Sequence, residues 1–433
     1  MSEINRRDFT KAAVAASAVT AFSYGRVIGA NERVGIGVIG CGGRGFDVWK
    51  RFVKQPDVNA VAVCDVYEPF VRRGVAASQG GAIAHKDFRQ VLDMKDVDAV
   101  IVATPDHWHA LQTVTACRAG KDVYVEKPLS LTISEGRVMV DEARKHNRVV
   151  QVGSQQRSGA HYAKAVKLIR EGAIGDVHHV SAGMTRNAMP GFVARELRAG
   201  LTKELDWDMW LGPAPERPFD PFRCIYHFRW FWDYSGGQMT NWGAHHLDIA
   251  RWALNAKAPT IITGLGGRYA IKDGGETPDV QEVLFDFPGS VVTWTSREIN
   301  QGRDVPLEFH GMKGTLSITR RGFSVKPEVW TGQDPSNPAA KNEKPAMEPI
   351  PNETGGEMDD THVRNFLDCV KSRQRPNADI EEGHLTAVMC HAANISTRLK
   401  RSLRWDANKE QFVNDREANQ FLSKPYRKAW KLA

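Results

Sequence analysis

Two stretches of the chain, and one lysine between them, carry residue types whose spacing can do chemistry. The first stretch is Gly40-Cys41-Gly42-Gly43-Arg44-Gly45, a GxGxxG pattern directly after the apolar run 34–39. Such glycines permit a tight turn and a close backbone approach to a pyrophosphate at a helix amino terminus. A helical pattern follows, with Val48, Trp49, Phe52 and Val53 on one face, then a second apolar run, Val58 to Cys64, ending on Asp65. An acid at that place accepts hydrogen bonds from ribose hydroxyls. Its charge repels a 2′-phosphate, so NAD is expected over NADP, a preference that Arg72 and Arg73 nearby temper. The second stretch, Ser235 to Asp248, is glycine-rich and closes with His245, His246 and Asp248. On a helix His245 and Asp248 share a face, while His246 points about 100° away. That spacing matches no zinc pattern, so no metal is expected. Between the two lies Lys127, in Glu126-Lys127-Pro128, where a lysine beside a cofactor can polarise an alcohol or carbonyl oxygen.

These residues need elements to hold them. Past Asp65, apolar strands at 99–103, 122–125 and 149–152 alternate with helical patterns at 109–119 and 132–146. Repeated strand–helix units predict a doubly wound parallel sheet with ligands at its carboxyl edge. Thr104, Pro105, Glu126 and Lys127 fall at that edge, and with His109 they complete the cofactor-binding candidates. After a helix over 160–171 the period changes. Runs at 177–184, 260–265, 280–287, 290–299, 306–309 and 314–319 read as strands, with Pro288-Gly289 and Met312-Lys313-Gly314 as turns. An α+β domain with a large open, mainly antiparallel sheet is expected there. Residues 207–242 are dense in aromatic rings that fit either a core under a long loop or a surface for sugar rings; Trp230 and Tyr234 are the candidates for the latter. The stretch 330–358 reads as a long loop, and 362–369 and 383–399 as helices.

GVIGCGGRG, CDV ending on Asp65, ATPDHWHA and AGKDVYVEKP, in this order and spacing, resemble the Gfo/Idh/MocA oxidoreductases. The resemblance implies an amino-terminal Rossmann domain, NAD, and Lys127 beside the nicotinamide and the reacting carbon. It implies that Asn241 and His245 stand where the family carries an Asp and a catalytic His. Asn supplies only a hydrogen bond where a carboxylate would raise the histidine pKa, so His245 is expected to be the weaker base. It also implies substrate contacts from Gln155, Gln156 and Arg157, with His161 and Tyr162 as further candidates, and an oligomer contact through the open sheet.

The first thirty residues look like a label rather than part of the fold. Arg6-Arg7, Phe9 and Lys11 ahead of the small-residue stretch 12–24 resemble a twin-arginine export signal. The expected division is therefore 1–30 signal, 31–155 NAD-binding domain and 156–433 substrate and oligomerisation domain with carboxyl-terminal helices. The 433 residues carry 58 Lys+Arg against 51 Asp+Glu, spread too evenly to suggest nucleic acid. Six cysteines without a CxxC read as buried thiols.

Three functions fit. The first is an oxidoreductase acting on a hydroxyl of a sugar, polyol or glycoside, in which His245 takes the proton and Lys127 steadies the oxygen. Export by the twin-arginine machinery to a compartment without an NAD pool requires the cofactor to stay bound and be recycled. That same requirement fits the second, a redox-neutral glycosidase, lyase or epimerase working through a transient keto-sugar. The Thr-His-Gly motif usual in the family's glycoside hydrolases is replaced here by Asn241-Trp242-Gly243. The third is a non-catalytic NAD- or sugar-binding protein, against which the presence of both Lys127 and His245 argues.

Overall fold

The computed structural model describes residues 33–191, 204–300, 305–333, 336–337 and 341–432. The expected signal, 1–30, lies outside them. The first half alternates strands β1 (Val34–Ile39), β2 (Val58–Cys64), β3 (Ile83–His85), β4 (Ala99–Val102), β5 (Asp122–Val125) and β6 (Val150–Val152) with helices. The strands form one parallel sheet in the order β3-β2-β1-β4-β5-β6. All residues of β1, β4, β5 and β6 are buried, because helices cover both faces and the strands are mostly apolar, Asp122 and Gln151 being the buried polar exceptions. The strand order reverses between β1 and β4, which opens a crevice at their carboxyl ends. Helix Gly43–Val53 buries Val48, Trp49 and Phe52, and the Trp49 indole donates to Gly74 O at 2.9 Å.

The second half contributes β7 (Val177–Thr185), β8 (Ile261–Gly267), β9 (Val280–Phe287), β10 (Ser290–Arg297), β11 (Leu307–Gly311), β12 (Gly314–Thr319), β13 (Gly322–Pro327), β14 (Val329–Gln333), β15 (Lys341–Pro345), β16 (Glu353–Thr354), β17 (Leu403–Asp406) and β18 (Gln411–Phe412). Ten of them make one sheet, β16-β13-β12-β11-β7-β10-β9-β8-β17-β18. Among the described residues it is antiparallel throughout except where β7 pairs with β10. Strands β9, β10 and β12 alternate buried with more exposed positions, as a sheet covered on one face must. Helices Ala160–Arg170, Ala244–Leu254 and Ile380–Leu399 pack on the covered face. The other face carries Leu265, Leu284 and Val291, all exposed in the single chain.

One expectation changes. The long loop of 330–358 holds the hairpin β14–β15 and the edge strand β16. Its residues are polar and proline-rich, so no alternation of apolar with polar side chains marks these solvated strands.

Packing crosses the boundary expected near residue 155. Trp210, Phe228, Phe231 and Tyr234 share one core with Val38, Trp49 and Tyr67, as do Phe366 and Leu367 of helix Asp359–Ser372. Tyr426 and Trp430, near the carboxyl terminus, pack against the core under β4 and β5. No helix of the described residues is long and apolar enough to cross a membrane. All six cysteines are free and buried.

Candidate active site

The crevice between β1 and β4 is lined by Gly40, Gly42, Gly43, Arg44, Asp65, Thr104 and Pro105. Gly40 has φ +89°, and a Cβ there would stand 2.7 Å from the Ala103 carbonyl and the Thr104 nitrogen. At Gly45 a Cβ would lie 2.0 Å from Gly40 O. The space in front of Gly43 is open, and the helix it begins has neither a side-chain cap nor an acid in its first turn. Its first N–H groups and its dipole therefore face the crevice uncompensated, which fits a pyrophosphate. Asp65 accepts from Cys41 N at 2.7 Å and from Tyr67 N at 2.9 Å, so its carboxylate also holds the glycine turn. Burial pushes its pKa up to about 6, against those backbone hydrogen bonds. Arg73 donates to Cys41 O at 3.0 Å and lies over Phe70, while Arg72 reaches Glu204 at 3.0 Å. Met209, Trp210, Tyr226, Phe228 and Arg229, from the second half, wall the same crevice. The nucleotide site is thus roofed by the other domain.

Three expected cofactor residues, His109, Arg44 and Glu126, turn out to be braces. His109 is buried, with Nε2 at 2.9 Å from Thr104 O and Nδ1 at 2.8 Å from Pro128 O. It ties the turns after β4 and β5 together and has no ring nitrogen left for a ligand. Arg44 spends its guanidinium on Glu126 (2.9 Å), Asp47 (3.0 Å) and Asp359 (2.9 Å). Glu126 is thereby the anchor of Arg44. Thr104 donates to Gln112 at 2.8 Å, and Pro105 opens helix Asp106–Arg118.

Beyond this crevice lies the reacting end. Lys127 follows β5 and precedes a cis proline. Its Nζ donates to Asn241 O and Asn241 Oδ1, both at 2.9 Å. Asn241 sits in a π-helical turn, Met239–Gly243, that enters helix Ala244–Leu254. Such a turn departs from regular helical hydrogen bonding, and here the Asn241 carbonyl receives Lys127. Asn241 Nδ2 donates to Gln238 (3.2 Å), and Gln238 donates to Glu298 (2.6 Å), which also takes Trp230 Nε1 (3.1 Å) and Arg186. Desolvation brings the Lys127 pKa down to about 8, with Glu126 opposing. His245 is buried and held well below the usual imidazole range, first by burial, then by the charges of Lys127 and Arg320. Its Nδ1 has no partner among the described residues. His246 packs edge-on to Trp242 and Trp294, and burial takes it down to about 4. Among the described residues no group of three His, Cys, Asp or Glu side chains could hold a metal ion.

Residues 34–154 match the model of an oxidoreductase family with an NAD-binding Rossmann fold (GFO_IDH_MocA), and residues 191–262 and 345–432 match that family's C-terminal alpha/beta domain. The chain belongs to the Gfo/Idh/MocA oxidoreductases. An alpha-N-acetylgalactosaminidase of Shewanella oneidensis is 30% identical over 214 residues, 42% of this chain and 46% of that protein. The chain thus spans about half the length of the curated relatives it matches. The WlbA dehydrogenase of Bordetella pertussis, solved with NADH and UDP-GlcNAcA, is 19% identical with a TM-score of 0.66, over 86% of this chain and 99% of that one. An aldose-aldose oxidoreductase of Caulobacter crescentus, solved with glycerol, is also 19% identical, with a TM-score of 0.63 over the same shares. These solved structures share the fold.

Within this Gfo/Idh/MocA frame, several expected substrate residues are not brought to the crevice. Arg157 is buried, with Nε on both oxygens of Asp248 (3.0 and 2.8 Å) and Nη2 on Glu382 (3.0 Å). It clamps three elements together and leaves Asp248 no role at a ligand. Trp230 is fully buried against Ala188 and Ile271. Tyr234 is fully buried against His107 and Trp210. Both rings are core, as the alternative reading of the aromatic stretch allowed. Gln155 is buried with an unpartnered Oε1. Gln156 donates to Tyr162 Oη at 2.5 Å. Sequence reasoning missed Gln238 and Glu298, which support Asn241, and Arg320, which lies over Trp242 at 5.2 Å. Nothing in Thr319-Arg320-Arg321-Gly322 distinguishes the first arginine from the second.

Proposed function

We propose that the protein is an NAD-dependent enzyme that oxidises a hydroxyl-bearing carbon of a sugar, polyol or glycoside, with the nucleotide retained through the cycle. The observation that carries this reading is Lys127: an amino group at the edge of the nucleotide sheet, fixed by two hydrogen bonds to Asn241, with a pKa near 8. An acid–base group works best when its pKa lies near the operating pH. Lys127, as the amine, accepts the hydroxyl proton and returns it when the ketone is reduced. His245 stays neutral and orients the same oxygen by hydrogen bonding. This moves the base role expected of His245 to Lys127, because burial and two cations disfavour imidazolium. Bound NAD supplies the hydride acceptor and, on return, the donor. The glycine cradle holds its pyrophosphate. Asp65 favours a free ribose hydroxyl, and with Arg72 and Arg73 both engaged, this supports NAD over NADP.

Retention is supported by the roof of Trp210, Tyr226 and Arg229 and by the twin-arginine signal, which we read as directing the folded, loaded protein out of the cytoplasm. A relative named as an aldose-aldose oxidoreductase agrees with pairing one sugar's oxidation to another's reduction. A second reading, redox-neutral elimination or glycoside cleavage through a transient ketone, is favoured by the alpha-N-acetylgalactosaminidase relative. We further propose a homo-oligomer through the open sheet face.

The test is to purify the protein without added nucleotide and supply sugars singly, in pairs and as glycosides. Reduction of the bound nucleotide that halts after one equivalent, then restarts with a second carbonyl compound, supports the first reading. Release of the aglycone without net reduction supports the second. No nucleotide in the purified protein refutes retention.

A further inference from the structure

Around the reacting end, beyond the nucleotide crevice, two cations, Lys127 and Arg320, have no ion pair to a carboxylate among the described residues. Lys127 Nζ meets an amide and a carbonyl, and no ion pair to a carboxylate is found for it among the described residues. Arg320, on the turn between β12 and β13, lies over the Trp242 ring, and its Nε is buried with no hydrogen-bond partner. Four arginines around this region are answered, Arg44 by Glu126, Arg157 by Asp248, Arg186 by Glu298 and Arg251 by Glu382, while Arg229, which meets the Tyr226 carbonyl at 3.1 Å, lines the nucleotide crevice instead. Arg320 has no such answer among the described residues. Nor is it among the residues that line the nucleotide crevice.

Its surroundings are those of a polar ligand. Trp242 stands edge-on to His245, with ring centres 6.0 Å apart. His161 meets Thr319 O, the residue before Arg320, through Nε2 at 3.2 Å, and its Nδ1 is unpartnered. Tyr162 meets the His161 ring at a tilt, with centres 4.5 Å apart, and is held by Gln156, whose Oε1 is also buried and unpartnered. A buried polar atom left without a partner is costly, so a cluster of them around an unanswered cation calls for a ligand to complete it.

We infer that Arg320 recognises an anionic group, a carboxylate or a phosphate, borne by the substrate sugar. This rests on the sugar reading above. A guanidinium offers two parallel N–H donors to such a group, and Trp242 fixes its plane. The anion also supplies, from the substrate, the negative charge that Asn241 does not provide beside Lys127. A neutral sugar leaves the cations facing one another, whereas an acidic one restores balance as it binds.

Titration calorimetry on the NAD-containing protein tests this with glucose, galactose and mannose, their uronates, and their 6-phosphates. In at least one series an anionic member is expected to bind about tenfold or more tightly than its neutral parent. Arg320→Gln should erase that difference while keeping the nucleotide content, and Arg320→Lys should restore part of it. The uronate and phosphate arms decide which anion is read. Equal or tighter binding of the neutral sugar in every series overturns the assignment and leaves the sugar reading standing, as does a preference that survives Arg320→Gln. Binding of none of the nine compounds overturns both.

Discussion

The nucleotide crevice and the reacting end beyond it are built by different means. At the nucleotide end the contacts are backbone: the turn Gly40–Gly45, the open amino terminus of helix Gly43–Val53, and Asp65 holding both in place. At the reacting end the groups we propose for the substrate are side chains from separate segments: Lys127 after β5, Gln156 to Tyr162, the π-helical turn with Asn241, and Arg320 on a distant hairpin. Backbone recognition tolerates little change, since a single Cβ at Gly45 would collide with Gly40 O. Side-chain recognition can be rewritten one residue at a time. One nucleotide site can therefore serve many substrates.

The sharpest way to break that division is Lys127→Ala. If the ends are separate, turnover falls about a thousandfold while bound NAD per protein is unchanged. Loss of both would show that Lys127 holds the cofactor rather than the proton. In the wild type kcat/KM should rise with pH through about 8, as Lys127 loses its proton and the accepting amine forms. A rising limb well below 6.5 would return the base role to His245.

Arg157→Ala asks whether a side chain once placed at the substrate belongs there. Removing one partner of a buried ion pair costs about 3–5 kcal/mol. Denaturant unfolding should show a loss of that order, with KM for the reactive sugar unchanged in the variant that stays folded. Unchanged stability with a raised KM would put Arg157 back at the ligand.

The same division decides what is legible in the amino-acid sequence. Gly40, Gly42, Gly45 and Asp65 are legible because a backbone turn demands glycine at fixed offsets, and the two strands fix where the acid falls. The parallel sheet is legible because strands buried on both faces read as unbroken apolar runs. The hairpin β14–β15 is not, since solvated polar strands carry no such signal. Arg157 and Arg320 show the limit at the site. Both are arginines beside plausible motifs, and only the fold reveals that Asp248 and Glu382 claim one while no carboxylate among the described residues claims the other. The weak basicity expected of His245 from Asn241 has other causes here, burial first and then the charges of Lys127 and Arg320, and burial could not be read from the motif.

Asn241→Asp sharpens the comparison by restoring a carboxylate to the reacting end. It would stand within hydrogen-bond reach of Lys127 Nζ, now 2.9 Å from Asn241 Oδ1. An adjacent carboxylate favours the ammonium form, so the limb near 8 should move up by about one to two units. A limb that does not move separates Lys127 from the titrating step.

The smallest expected effect lies on the outer wall of the nucleotide end. Trp430, three residues from the carboxyl terminus, packs edge-on against Trp108 at 4.9 Å and lies 6.4 Å from Phe88. Both of those rings line the crevice. Arg427 ties the same tail to Asp208 and Gly212, beside Met209 and Trp210 of the roof. If retention depends on a wall braced in this way, Trp430→Ala should speed release of NAD about fivefold, the equivalent of losing about 1 kcal/mol of aromatic packing. Trp430→Phe should lie nearer the wild type, because an edge-on ring contact survives. Release is followed by dilution of the loaded protein into an NAD-scavenging enzyme, with sugar affinity measured in parallel. Faster release with unaltered sugar binding confines the tail to the nucleotide end. An unchanged release rate would leave the roof from the second half as the sole barrier to escape.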